Sequence, residues 1–201
     1  ETPSHGQILF RGQPVTSLSE PARARAGIAR LFQDLANLDD FSVRDNVELG
    51  RVAKAARRSF LERLAYALQV PEESTSPEPA CALLLDKLGV GLLEAKVGEL
   101  SHWQRRLVSF ARALASEPLL MLLDEPFAGL SFGETRELSE LVRRVRGVHG
   151  QSFLVVEHNL DALLALCDRV IVLHLGEKIA DQPARTVTSN QRVIDVYLGG
   201  R

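Results

Sequence analysis

Asp124 and Glu125 stand side by side in the stretch LLMLLDEPFAGLS (Leu119–Ser131), directly after five apolar residues and before a proline. Adjacent carboxylates repel one another, and taking either out of water is costly. Two readings account for the pair: the solvated end of a strand, or the anionic half of a site that receives a cation. In the second, Asp124 meets Mg²⁺ through its water shell, because that ion favours few carboxylates plus phosphate oxygens. Glu125 then orients a water for attack on a phosphoryl group. Gln33 closes the β-like run GIARLFQ, and its amide suits Mg²⁺ or the attacking water. His158 follows the apolar run SFLVVE, and its imidazole suits a hydrogen bond to a transferring phosphate. Each of these is, taken singly, as well explained as a structural residue. Ser101 and Gln104 in LSHWQRRL have capping-box spacing, although a helix start carrying a hydroxyl also favours an anion. Arg105 and Arg106 read as solvated helix charges.

The elements that must position these residues follow from periodicity. Gln7–Arg11, between Gly6 and Gly12, reads as a hairpin strand, and Gly27–Gln33 as a second short strand. From Ser42 to about Leu68 the pattern is helical. Three prolines make Val70–Ala80 a loop, and helix resumes over Cys81–Leu88. Trp103, Leu107, Phe110, Ala111 and Leu114 recur at helical spacing, which predicts a helix over Ser101–Ala115. Leu119–Leu123 and Ser152–Glu157 read as strands buried on both faces. Between them Leu138, Leu141, Val142, Val145 and Val148 mark an amphipathic helix. Asp161–Leu166 reads as a short helix, and Arg169–Asp181 as a hairpin turning at Gly176. Alternating strands and helices predict α/β architecture with a largely parallel sheet. In such sheets ligands bind beyond the carboxyl ends of the strands, where Asp124–Glu125 and Glu157–His158 would both fall.

The 201 residues suffice for one core with at most a subdomain; 45% are hydrophobic and 25% charged, an ordinary globular balance. A formal net charge of −2 excludes a global basic field, so nucleic acid is not expected as a partner. Cys81 and Cys167 suit separate buried thiols better than a disulfide. No apolar run reaches the ~18 residues of a membrane span, and the opening residues do not read as a secretory leader. The first residue is Glu1 and not methionine, so the chain is expected to be the later part of a longer polypeptide.

Taken together and in order, these residues resemble an ATP-binding cassette (ABC) ATPase, the motor subunit of ABC transporters. Gln33 in RLFQ resembles the Q-loop, LSHWQ the signature, LLMLLDEP the Walker B strand with its glutamate, AGLS the D-loop, and His158 in VVEHN the switch histidine. GIARLFQDLANLDDFSVRDNVELG, QRRLVSFARAL and VIDVYLGG are more narrowly similar to subunits that power branched-chain amino acid and urea or amide importers. The resemblance implies an α/β, P-loop-NTPase-like core formed by 1–41 and 116–201, with 42–115 as a helical subdomain ending in the signature helix. It implies ATP and Mg²⁺ as cofactors. Asp124 and Gln33 are implied at the metal, Glu125 and His158 in catalysis, and Gln33, Ser101, Gln104 and Ser131 at the nucleotide.

The implied partners are a second ATPase subunit, identical or not, integral membrane permease subunits and, indirectly, a solute-binding protein. The implied place is the cytoplasmic face of the plasma membrane. Four departures accompany the resemblance. No G-x-x-x-x-G-K-[S/T] loop occurs in the 201 residues; the family pattern puts it before GQILFRG, so the chain by itself is expected to bind ATP poorly. His102 and Trp103 replace the two signature glycines, Ser131 replaces the D-loop aspartate, and the helical insert is short. The signature change motivates an alternative, a catalytically impaired cassette subunit with a structural or regulatory role in a heterodimer. A soluble cassette ATPase of translation or DNA repair is a third possibility, disfavoured by the importer-like tail.

Overall fold

A computed structural model describes residues 3–31, 38–55 and 79–198. A hairpin pairs β1 (Leu9–Phe10) with β2 (Gln13–Pro14). Helix α1 (Glu20–Ala26) has Pro21 in its first turn and stops at Gly27, whose φ of 102° ends the helix and releases the chain into β3 (Ile28–Leu31). Residues 32–37, which contain the expected strand end at Gln33, lie outside the described residues, as do 56–78, which hold most of the expected proline-rich loop.

Helix α2 (Val43–Ala55) begins with a reciprocal cap: the Asp45 N–H donates to Ser42 Oγ at 3.1 Å, and the Ser42 N–H to Asp45 Oδ2 at 3.2 Å. Helix α3 (Pro79–Leu88) starts two residues before the expected Cys81. Helix α4 (His102–Ala115) is the hub, with α2 and α3 both packed on it. Its inner face carries Leu107, Val108, Phe110, Ala111 and Leu114, all essentially removed from water. Each large apolar side chain so buried contributes about 1.5–3 kcal/mol. Gly50 is where α2 approaches α4 most closely: a Cβ there would overlap the Arg112 carbonyl oxygen and lie 2.8 Å from the Ala115 Cβ.

Strand β4 (Leu120–Asp124) is built from leucine and methionine, good helix formers. Pro118 and Pro126 bracket the run and leave no room for a helix. β4 pairs in parallel with β3 on one side and with β5 (Ser152–Val156) on the other, giving the order β3-β4-β5. Between β4 and β5, α5 (Phe132–His149) lays Leu138, Leu141, Val142 and Val145 against the same core as α4. Helix α6 (Leu160–Leu166) leads to a second hairpin, β6 (Arg169–His174) with β7 (Glu177–Pro183). It turns at Leu175 and Gly176, whose φ values of 49° and 83° are the consecutive left-handed pair a two-residue loop requires. Helices α7 (Ala184–Val187) and α8 (Gln191–Leu198) close the described chain, with Val187 and Val193 in a smaller cluster under this hairpin.

One strand departs from its expected setting. β5 is covered on one face only: Phe153 and Val155 pack against the core, while Leu154 and Val156 are 52% and 58% exposed. A continuous apolar run does not distinguish a strand covered on two faces from one covered on one. Cys81 is buried and Cys167 half-buried, neither is in a disulfide, and burial pushes the Cys167 pKa up. Among the described residues no helix is long and apolar enough to cross a membrane.

Candidate functional site

The parallel register delivers the chemistry-bearing residues to one rim. Leu31 pairs with Leu123, and Asp124 with Val156, so β4 and β5 end together. Asp124 is the last residue of β4, Glu125 follows it, and Glu157 and His158 follow β5. β3 reaches the same rim at Leu31, and Gln33, two residues on, lies outside the described residues.

The paired acids do not stand as bare neighbours. Arg30, inside β3, donates from Nη2 to Asp124 Oδ2 at 2.8 Å. Both side chains are partly exposed, and such a pair contributes about 0–1 kcal/mol. That is little enough for a divalent ion to compete with. The chain at Glu125 turns sharply, with φ at 46°, a region costly for a residue with a side chain. Two hydrogen bonds hold the turn: the Glu125 N–H donates to the Val156 carbonyl at 2.9 Å, and the Ala128 N–H to the Glu125 carbonyl at 3.1 Å. Its carboxylate reaches toward His158, whose Nδ1 lies 3.7 Å from Glu125 Oε1. That separation is too long for a hydrogen bond and short enough for a water to engage both.

Ser101 and Gln104 form the capping box. The Gln104 N–H donates to Ser101 Oγ at 3.2 Å, and the Ser101 N–H to Gln104 Oε1 at 3.0 Å. Ser131 builds the same device at the start of α5. The Glu134 carboxylate accepts from the Ser131 N–H at 2.8 Å and from its hydroxyl at 2.7 Å, and these bonds lower the Glu134 pKa. The two helix starts are adjacent, since His102 stands over Gly129, where an added Cβ would meet the imidazole Cε1 at 3.3 Å. Gly129 has φ 75°, so glycine serves there both for its backbone and for the space it leaves.

Trp103 is part-buried against the main core. Trp103→Ala is therefore expected to lower unfolding stability by about 1–3 kcal/mol, below the range for a fully buried aromatic. The urea midpoint measures this, and an unchanged midpoint would mean the indole contributes no packing.

The expectation for Arg106 is overturned. It is 1% exposed, and its Nη2 donates to the Ala128 carbonyl at 3.1 Å. Burial lowers its pKa, and the negative charge of Glu157 opposes that shift. Arg105 is half-buried and bonds to the Leu100 and Gly98 carbonyls. Sequence reasoning missed Arg30, read Arg106 as a surface charge, and put Glu157 at the rim without a role. The signal for Arg106 was present: position 106 falls on the same helical stripe as 103, 107, 110 and 114.

The chain's relationships agree with this geometry. The sequence profile of the ABC transporter family matches residues 1–128. The chain belongs to the ABC transporter family. Probable branched-chain amino acid transport ATP-binding protein LivG of Methanocaldococcus jannaschii is 31% identical over 96% of the chain and 76% of its own length. Arabinose import ATP-binding protein AraG 1 of Burkholderia cenocepacia is 31% identical over 98% of the chain and 37% of its length. Among solved structures, the ADP conformation of MJ1267, an ATP-binding cassette of an ABC transporter, superposes with a TM-score of 0.75 at 29% identity, covering 98% of this chain and 78% of that one. The protein is thus an ABC ATPase, in a family that binds ATP, generally with Mg²⁺.

The residues present fit one half of that ligand. Asp124, at the end of β4, is a carboxylate of the kind that an ion keeping most of its waters takes, and Glu125 and His158 stand beside it on the rim. Among the described residues no cluster of three acids, histidines or cysteines could hold a metal alone. Such an ion then needs the nucleotide's oxygens as well. The glycine-lysine loop that would cradle the phosphates is not among the 201 residues.

Proposed function

We propose that this ABC ATPase powers uptake of branched-chain amino acids or related small polar solutes, acting on the cytoplasmic face of the membrane. Its partners are permease subunits, a second ATPase subunit, and indirectly a solute-binding protein. Similarity to the M. jannaschii LivG protein over nearly the whole chain supports the solute class. The observation that carries the chemistry is the convergence of Asp124, Glu125 and His158 on one rim.

Bound Mg·ATP supplies a phosphoanhydride bond with its charge neutralised by the ion. Asp124 would hold the ion's water shell in exchange for its contact with Arg30, and Gln33, outside the described residues, would assist. Glu125 orients the attacking water and accepts its proton; His158 donates a hydrogen bond to the transferring group. Ser101 and Gln104, at the start of α4, and Ser131, at the start of α5, face the nucleotide held by the second subunit. The core 1–41 with 116–201 and the helical part 42–115 share one apolar cluster, which holds Leu31, Met121 and Leu123 of the first and Val43, Leu107 and Leu114 of the second. Similarity over nearly the whole chain to an importer ATP-binding protein favours the hydrolysing reading over that of an impaired subunit.

Two measurements on the full-length gene product with its membrane partners test this reading. Asp124→Asn should raise the Mg²⁺ concentration needed for half-maximal ATP hydrolysis at least about tenfold. An unchanged requirement would move the metal elsewhere. Deleting the gene should abolish uptake of labelled leucine, and normal leucine uptake beside loss of another solute would overturn the solute class.

A further inference from the structure

Glu157 is the residue of this rim that no role yet absorbs. It sits between two exposed residues, Val156 and His158, yet its own side chain is 1% exposed. A carboxylate withdrawn from water at a strand end is costly unless donors and a positive charge meet it. Its Oε1 accepts from the Phe127 N–H at 3.0 Å. Its Oε2 accepts from the His158 N–H at 3.2 Å and lies 3.5 Å from the Asn159 nitrogen. Arg106 supplies the charge, and also donates to the Ala128 carbonyl. The peptide between Phe127 and Ala128 is therefore flanked by an anchored N–H and an anchored C=O, two and three residues beyond Glu125.

We propose that Glu157 is a positioning residue: its buried carboxylate joins the turn that carries Glu125 to the turn that carries His158 and sets the spacing between them. Three backbone N–H groups from two loops converge on one side chain, while the Glu125 N–H returns to the β5 end at Val156. The left-handed backbone at Glu125 stays in place only if its surroundings over-determine it. Glu157 and Arg106 supply that constraint from the β5 end and from α4.

This rests on the roles proposed for Glu125 and His158. The test uses the full-length gene product with its membrane partners. Glu157→Gln, which keeps one acceptor, should lower kcat at least about tenfold while nucleotide affinity stays within about twofold. Glu157→Ala should lower kcat further, yet on a His158→Ala background it should cause no additional loss. Amide exchange at Phe127 and His158 should quicken in both variants, with α4 amides unaltered. Unchanged kcat, or losses that simply multiply in the double variant, would overturn the proposal. If the unsubstituted protein shows no Mg-dependent turnover, the hydrolytic reading fails by itself. The exchange at Phe127 and His158 then decides whether Glu157 joins the two turns, and unaltered exchange would overturn that as well.

Discussion

Glu125→Gln is expected to lower steady-state ATP hydrolysis by the full-length gene product about 10²- to 10⁴-fold, the range for loss of a general base. Glutamine has the same shape and keeps an acceptor oxygen, but cannot take up a proton near neutral pH. The substitution leaves the backbone bonds at this turn, from the Glu125 N–H to Val156 and from the Ala128 N–H to Glu125, untouched. The side chain is also mostly withdrawn from water without being sealed in, so little packing is lost. Nucleotide affinity should therefore change by less than about threefold while kcat collapses, the pattern of an interaction made only in the transition state. Steady-state rates beside equilibrium nucleotide binding separate the two. Undiminished turnover would place the base on another residue.

Gly50→Ala is expected to destabilise the protein by about 2–3 kcal/mol, although helix propensity alone would make it stabilising by about 1 kcal/mol. The sign is reversed by the neighbour. At Gly50 the backbones of α2 and α4 approach until a methyl group would overlap the Arg112 carbonyl oxygen and crowd Ala115. A backbone carbonyl inside a helix cannot swing aside as a flexible side chain can, so α2 must shift as a body. Gly147→Ala provides the contrast: in α5 nothing lies within 4 Å of the added methyl. There propensity should prevail, with a gain of about 0.5–1 kcal/mol. Urea unfolding of the two variants decides, and a stabilised Gly50→Ala would show that the two helices do not meet this closely.

These cases divide what a linear reading reaches from what it does not. The caps at Ser101 and Gln104, the turn at Gly176, and the strand between Pro118 and Pro126 were legible because each is decided within a few residues along the chain. The order of strand ends that brings Asp124, Glu125 and His158 to one rim was legible too, since a parallel sheet aligns the carboxyl ends of its strands. The missing phosphate loop was equally plain, being a matter of residues present or absent.

Other features depended on what each segment packs against. Arg30 reaches Asp124 across 94 positions of sequence only because β3 and β4 pair in that register. Arg106 reads as an ordinary surface charge until α2, α3 and the loop after β4 close around α4. The apolar run of β5 states that a face is buried, not how many. Sequence by itself determined the local conformations and the family of chemistry, because these follow from spacing and residue type. Tertiary structure alone decided which charges were removed from water and what met them there. Burial and charge pairing are properties of neighbours in space, which the order of residues along one strand or helix does not contain.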